Sequence, residues 1–377
     1  MRYFFIIGER SGDLHASNLI KAIKAKDKEA QIEGIGGELS QAAGMHLIHH
    51  YKDLSIMGFV KVLFHLRSIK KNFRRCQTAL LKSNPDAVVL VDFPGFNLRM
   101  AQFAKSHHYK VFYYIAPKVW ASREKRVHKI KAYTDKVFTI FPFENAFFQE
   151  RGVAIEYVGN PLLDAIADRP YKDESRDDFI QRHHLADKPI VALLAGSRKQ
   201  EVKKLLPKFL ALQSLFPQYQ FVLAGVDNLG SAFYRSVVGT ELPPIIYNDT
   251  YSVLQQAEAA LVASGTATLE TALLKIPQIV CYDVGGGQFF YKLYERFLIK
   301  VKYVSLVNLI MDRMVVKELL QHHFTLKNLQ EELHLLLHDQ VYRKRIMTDY
   351  ESIIKRLGGE GASAKTAHSI IESLHQN

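Results

Sequence analysis

An α/β fold of two Rossmann-like domains, each built on a parallel sheet, is predicted by three features of the 377-residue sequence. Short, near-continuous apolar runs alternate with helical stretches, as expected for parallel strands covered on both faces. Each run ends in a small polar turn, where such sheets bind ligands. The pattern occurs in both halves, with a polar, charge-mixed segment between them.

The elements follow in order. The first strand is Phe4–Ile7, the turn is Gly8-Glu9-Arg10-Ser11-Gly12-Asp13, and a helical stretch runs on to Ile20. The polar turn interrupts the apolar start too soon for a signal peptide. Val88 to Asn97 (VVLVDFPGFN) and Val111 to Ala121 (VFYYIAPKVWA) continue the first domain, which Val158-Gly159-Asn160-Pro161 ends. Domain limits of 1–165 and 189–345 are expected, with 166–188 as a polar linker. The second domain starts at Ile190 to Arg198 (IVALLAGSR) and continues through Phe221–Val226 to Ala259–Ala263. After about Lys327 the pattern is helical. Gly358 to Ala364 reads as a flexible hinge before a short amphipathic helix. The helices of 346–377 are expected to pack back on the N-terminal domain, and a homodimer through them is left open.

Composition narrows the class. The chain is 48% hydrophobic, enough for two cores. Its two cysteines, Cys76 and Cys281, lie in apolar or helical settings, which indicates a reducing, cytoplasmic compartment. No apolar run is long enough to span a bilayer. The net charge of +12 is concentrated in part on Lys61 to Arg75 (KVLFHLRSIKKNFRR), which has six Lys or Arg and no acid. Apolar residues recur there at helical spacing, after the apolar Leu54 to Val60. A basic amphipathic helix with an apolar lip, including Met57, Phe59, Val60 and Leu63, reads as a site for an anionic membrane surface. The alternative is a surface helix whose stripe is core. No nucleic-acid module is present, so no nucleic-acid partner is expected.

The turns carry the chemistry. Ser264-Gly265-Thr266 joins an apolar strand to a helix, whose free N–H groups and dipole suit a phosphate. Glu270 lies one turn further on, where a carboxylate could reach a ribose hydroxyl; a simple capped turn is the alternative. Asp92 ends a buried strand and is a candidate general base, or else a helix cap. Glu9, Ser11 and Asp13 form a polar cluster at the first turn, suited either to substrate hydroxyls or to capping. Arg198 could hold a phosphate as a fork, or pair with Glu201. No Asp-x-Asp pair is placed to hold a metal, so no metal or other cofactor is expected. Adjacent histidines such as His107-His108 do not share a face and are read as surface residues.

Two similar α/β domains, with a phosphate turn and an acid in the second, suggest a sugar-nucleotide glycosyltransferase of the GT-B type, its parallel sheets facing a central cleft. An ordered set of motifs sharpens this. It comprises GERSGD (Gly8 to Asp13), IMGFVKVL (Ile56 to Leu63), VDFPGFN (Val91 to Asn97) and IAPKVWASREKRV (Ile115 to Val127). FPFE (Phe141 to Glu144), VGNP (Val158 to Pro161), LLAGSRKQEV (Leu193 to Val202), SGTATLE (Ser264 to Glu270), YVSLVNLI (Tyr303 to Ile310) and VVKELLQ (Val315 to Gln321) complete it. The chain resembles the lipid-A-disaccharide synthases, glycosyltransferase family 19.

The resemblance implies an inverting transfer. The donor would be UDP-2,3-diacylglucosamine and the acceptor 2,3-diacylglucosamine 1-phosphate, reacting at its 6-hydroxyl. The products would be a β-1,6 disaccharide 1-phosphate and UDP, in lipid A (lipopolysaccharide) biosynthesis. It places the base at Asp92, the acceptor cleft around the first turn, and a UDP contact at Asn308 beside Arg198, Ser264, Gly265, Thr266 and Glu270. Acylated substrates imply peripheral association with the inner membrane. The family often has proline where Ala195 stands, an acid where Gly95 stands, and a basic residue where Asp283 stands. Rival readings are a UDP-GlcNAc epimerase or the lipid-II-forming transferase on the same fold, and a non-catalytic membrane-binding or nucleotide-sensing protein.

Overall fold

A computed structural model describes residues 1–54, 66–120, 123–239, 242–283 and 302–376. The apolar lip at Met57, Phe59, Val60 and Leu63 lies outside the described residues, as does the glycine run 285–287. The chain divides into two units, one of residues 1–165 with 357–377 and one of residues 166–356.

The first unit holds a seven-stranded parallel sheet. Its strands are β1 (Arg2–Ile7), β2 (Gln31–Gly36), β3 (His46–His50), β4 (Ala87–Val91), β5 (Lys110–Tyr114), β6 (Lys136–Thr139) and β7 (Ile155–Tyr157). Their spatial order is β3-β2-β1-β4-β5-β6-β7. The order reverses between β1 and β4, where Ile7 pairs with Val91. Such a reversal splays the helices that come after the two strands and opens a crevice at the carboxyl ends. The central strands are buried from Tyr3 to Ile7 and from Ala87 to Val91, so their sequences there are continuously apolar. The helix Leu66–Ser83 buries Cys76 and Leu80 in the sheet's core.

The second unit repeats the plan with six parallel strands. These are β8 (Ile190–Leu194), β9 (Gln220–Gly225), β10 (Ile245–Tyr247), β11 (Ala257–Ala263), β12 (Gln278–Tyr282) and β13 (Glu318–Leu320). The order β10-β9-β8-β11-β12-β13 reverses between β8 and β11, where Leu194 pairs with Val262. Both cysteines are buried and free.

Residues 166–188 are not a free linker. They belong to the second unit, and the helix Arg176–His183 buries Phe179 completely in its core. Arg182 grips Glu174 through two hydrogen bonds of 2.6 and 2.7 Å and reaches Asp249 at 2.6 Å. Polar composition marked the surface of this segment, while one buried phenylalanine and one arginine fork attach it. Helix Ala362–His375 packs against Arg10–Lys26 in the first unit. The glycines before it form a corner, with Gly358, Gly359 and Gly361 at φ of +84°, +77° and +99°. Asp164 fixes that corner by accepting from the N–H groups of Gly361 (2.6 Å) and Ser363 (2.8 Å). It thus satisfies amides that the helix start leaves open.

Candidate active site

In the first unit, strand pairing places Gly8 and Asp92 side by side, each one residue beyond the paired Ile7 and Val91. Asp92 and Phe93 both adopt left-handed backbone, at φ +44° and +46°. Two consecutive residues in that region are costly without glycine, about 1–3 kcal/mol each. The surroundings hold them there. The Asp92 N–H donates to the Tyr114 carbonyl at 3.1 Å. The Asp92 carbonyl accepts from the Tyr113 hydroxyl at 2.6 Å and from Asn97 Nδ2 at 2.9 Å. Asn97 also ties the ends of β1 and β4 through the carbonyls of Ile6 and Val91. Phe93 then lies over Gly8, where a Cβ would stand 2.1 Å from the ring. Glycine at position 8 is therefore a packing requirement.

This turn aims a carboxylate with altered acidity. Burial pushes the Asp92 carboxyl up to about 6, and the Glu9 carboxylate adds to the rise. The Lys118 ammonium and the Phe93 N–H oppose it. An acid poised near 6 is ionised at neutral pH yet binds a proton readily, as a general base must. Glu9 is half-buried and accepts from Ser11 Oγ at 2.8 Å, so these two residues share the mouth of the turn with Asp92.

Asp13 does not join them. It is buried and accepts from the N–H groups of Gly37 (2.8 Å), Leu39 (3.0 Å) and Ser40 (3.3 Å). It is the cap of the short helix Glu38–Ala42, and its oxygens are spent on that task. Of the two readings of Asp13, substrate hydroxyls or capping, these bonds favour capping.

Two neighbours carried no role in the sequence reading. Lys118 lies on the loop after β5, its ammonium 6.0 Å from the Phe141 ring centroid. Glu144 is fully buried and accepts from Trp120 Nε1 (3.0 Å), Ile140 N–H (3.1 Å) and Phe141 N–H (3.1 Å). Burial still pushes its carboxyl up to about 7. The motif FPFE contains the signal, a glutamate at the third helical position, but phenylalanine at the N-cap hides the usual Ser/Thr signature.

In the second unit the same reversal brings two turns together. Ala195-Gly196-Ser197-Arg198 leaves β8, and Ser264-Gly265-Thr266 leaves β11. Gly196 has φ +99°, and a Cβ there would meet Glu201 Oε2 at 2.5 Å and Ala263 Cβ at 3.4 Å. Arg198 is exposed and paired with Glu201 at 3.1 Å, a surface contact of small strength that an anion could displace. Ser264 N–H is spent on the Cys281 carbonyl at 3.0 Å, while Gly265 and the start of helix Thr266–Leu273 are open to solvent. Glu270 accepts from the Tyr251 hydroxyl at 2.9 Å, and burial raises its carboxyl above the ordinary value.

Asn308 has no atom left for a ligand. Its Nδ2 donates to the Val316 carbonyl (2.9 Å) and to Glu318 (2.8 Å), and its Oδ1 accepts from Val315 and Val316 N–H. With no exposed surface, Asn308 holds the loop rather than contacting a nucleotide. The family-based expectation of a direct contact is corrected by this saturation. Asp283 lies 4.0 Å from Lys208. Among the described residues, no group of three His, Cys, Asp or Glu is arranged to hold a metal ion, and no helix is long and apolar enough to cross a membrane.

Comparison with known proteins agrees with this architecture. The family model described as Lipid-A-disaccharide synthetase matches residues 3–371. A lipid-A-disaccharide synthase of Coxiella burnetii is 35% identical over 376 residues, covering 98% of both chains. Among solved structures, the UDP-GlcNAc 2-epimerase of Methanocaldococcus jannaschii, in complex with UDP-GlcNAc and UDP, superposes with a TM-score of 0.66 at 14% identity. That match covers 99% of this chain and 100% of the other. The glycotransferase of kitacinnamycin gives a TM-score of 0.65 at 12% identity, with 99% of each chain covered. These two likenesses speak for the fold, which is the GT-B arrangement of two parallel-sheet units. With the family model spanning nearly the whole chain, the protein belongs to the lipid-A-disaccharide synthase family, glycosyltransferases of lipid A biosynthesis.

Proposed function

We propose that the enzyme transfers 2,3-diacylglucosamine from UDP-2,3-diacylglucosamine to the 6-hydroxyl of 2,3-diacylglucosamine 1-phosphate, with inversion. Asp92 takes the proton of the acceptor hydroxyl as its oxygen attacks the donor's anomeric carbon. The bond from that carbon to the diphosphate breaks, and UDP leaves with the electron pair. Arg198 and the amides at the start of helix Thr266–Leu273 stabilise the charge that develops on the diphosphate. Glu270, held by Tyr251, takes a ribose hydroxyl. A UDP-sugar donor is supported by the fold shared with an epimerase that binds UDP-GlcNAc and UDP. The observation that carries the proposal is the half-buried Asp92, held in left-handed backbone at the switch point of the first sheet with its carboxyl pushed up to about 6.

Acylated substrates require a membrane-side entry. Helix Leu66–Ser83 supports one, since Lys70, Lys71, Arg74, Arg75 and Lys82 line an open groove with His49. This face would meet anionic lipid from the cytoplasmic side, and the preceding apolar residues would insert. The decisive assay measures UDP release from UDP-2,3-diacylglucosamine with and without the acylated acceptor. Release only with acceptor, together with an inverted disaccharide product, is the expected result. Acceptor-independent turnover, or isomerisation of the donor sugar, would overturn the proposal.

A further inference from the structure

Two fully buried side chains meet at the main chain of Asp92. Tyr113 lies in β5, the strand paired with β4, and is packed in the core of the first unit. Its hydroxyl donates to the Asp92 carbonyl at 2.6 Å, in the short half of the range for such bonds. Burial, helped by the Asp92 carboxylate, pushes this hydroxyl well above the usual tyrosine value, so it stays a donor at any pH of interest. Asn97, on the helix Pro94–Ser106, donates from Nδ2 to the same carbonyl at 2.9 Å and to those of Ile6 and Val91 at 3.2 Å. Among the described residues, the Oδ1 of Asn97 has no hydrogen-bond partner, although it is fully buried.

Buried acceptors are nearly always paired, and an exception calls for a cause. The cause here is the direction of the amide. Turning it over would set Oδ1 against three carbonyl oxygens. Two unfavourable features thus coincide at one turn: successive left-handed residues at φ +44° and +46°, and an unsatisfied amide oxygen. Stability alone would select neither, and such features gather where geometry serves function. The geometry they fix is that of the base. The Asp92 N–H is held by the Tyr114 carbonyl at 3.1 Å, and its own carbonyl by Tyr113 and Asn97. With both flanking peptide groups held, the Cα–Cβ bond has one direction, and only the side-chain torsions remain free. Without the clamp the backbone can relax out of the left-handed region, and the carboxylate swings with it.

We propose that Tyr113, assisted by Asn97, is a positioning residue of the transfer: its hydroxyl holds the Asp92 main chain so that the carboxylate stays aimed at the acceptor hydroxyl. The inference rests on the transferase reading above, with Asp92 as base, and adds the residue that acts through it. Tyr113 touches no substrate in this reading and gives up no proton.

The test is a double-mutant cycle in the full chain. Tyr113→Phe removes one oxygen, and the Asp92 carbonyl keeps Asn97 as a donor, so no acceptor is stranded and the fold should survive. Its kcat should fall about tenfold or more, as expected when a reacting group is displaced, with the acceptor KM and the calorimetric UDP affinity as in wild type. In the Asp92→Asn background the same substitution should change the residual rate by less than about twofold, because the carboxylate it positions is gone. A purely structural residue would lower both rates alike. Asn97→Ser, put through the same cycle, should show the same cancellation and decides the matter if circular dichroism finds Tyr113→Phe unfolded. A folded Tyr113→Phe with wild-type kcat, equal losses in both backgrounds, or a loss in acceptor KM or UDP affinity with kcat kept would each overturn the positioning role while the transferase reading stands. A wild type that makes no disaccharide, or an Asp92→Asn enzyme as fast as wild type, would overturn that reading or its base, and the positioning role with it.

Discussion

The pH dependence of turnover tests the central assignment most directly. If Asp92 is the base, kcat/KM should rise with pH with unit slope and level off above about 6, where its carboxyl titrates. At pH 5, one unit below, only about a tenth of the enzyme carries the ionised form, so about a tenth of the plateau rate remains. The neighbouring charges give the experiment its signs. Glu9→Gln removes the negative charge that raises the Asp92 carboxyl, so the acid limb should move to lower pH. Lys118→Met removes an opposing positive charge, so the limb should move to higher pH. Asp92→Asn should lower turnover by about two orders of magnitude or more, the range for loss of a general base. It should also stabilise the fold at pH 7. Between the ordinary 3.8 and about 6 the native state binds the extra proton, so stability falls as pH rises through that window. At about 1.4 kcal/mol per unit, ionising Asp92 costs up to about 3 kcal/mol, which asparagine avoids. Stopped turnover with raised thermal stability is thus expected. An Asp92→Asn enzyme that turns over near the wild-type rate, or an acid limb unmoved by both charge variants, would refute the reasoning.

Three further outcomes are expected. Arg198→Ala and Glu270→Ala should each weaken UDP binding by calorimetry, in the presence of EDTA as in its absence; unchanged affinity in both would remove the nucleotide from the second unit. Replacing Phe59, Val60 and Leu63 together by Ser should reduce the salt-resistant part of vesicle binding while sparing UDP affinity, and neutralising Lys70, Lys71, Arg74 and Arg75 should reduce the salt-sensitive part; a folded variant with unaltered binding would sink the docking site. Burial holds the imidazole of His15 down at about 4 against the nearby Asp164 charge, and its Nδ1 has no partner. The unfolded chain therefore takes up the proton first, and stability should fall as pH drops from about 6.5 to about 4, by about 3 kcal/mol at most; His15→Phe should flatten that slope in chemical denaturation.

Much of the fold was legible because fully buried parallel strands have no polar face. Phe4–Ile7, Val88–Val91 and Ile190–Leu194 announce themselves as unbroken apolar runs. The turn after each run was also readable, since a strand end at a switch point needs small or strained residues. The functions of polar residues were less legible. Asp13 and Asn308 sit in motifs rich in candidate ligands, yet their hydrogen bonds are taken by main-chain groups that only the tertiary fold delivers. Gly37, 24 residues from Asp13, is one of these. The segment 166–188 failed for a similar reason: one buried side chain, Phe179, outweighs a polar composition. Lys118 went unnoticed because its influence on Asp92 crosses from one strand end to the next.

The cap that Asp164 provides to Gly361 and Ser363 spans 197 and 199 residues of chain. At ribosomal speeds of about 5–20 residues per second, Asp164 waits about 10–40 s for those partners. During that interval helix Arg10–Lys26 lacks the helix Ala362–His375 that packs on it in the finished protein. The first unit therefore cannot be completed while the second is being synthesised. Its final stability is acquired after translation has passed through all of residues 166–356, and a nascent chain halted within them would present a sticky helix to chaperones and proteases.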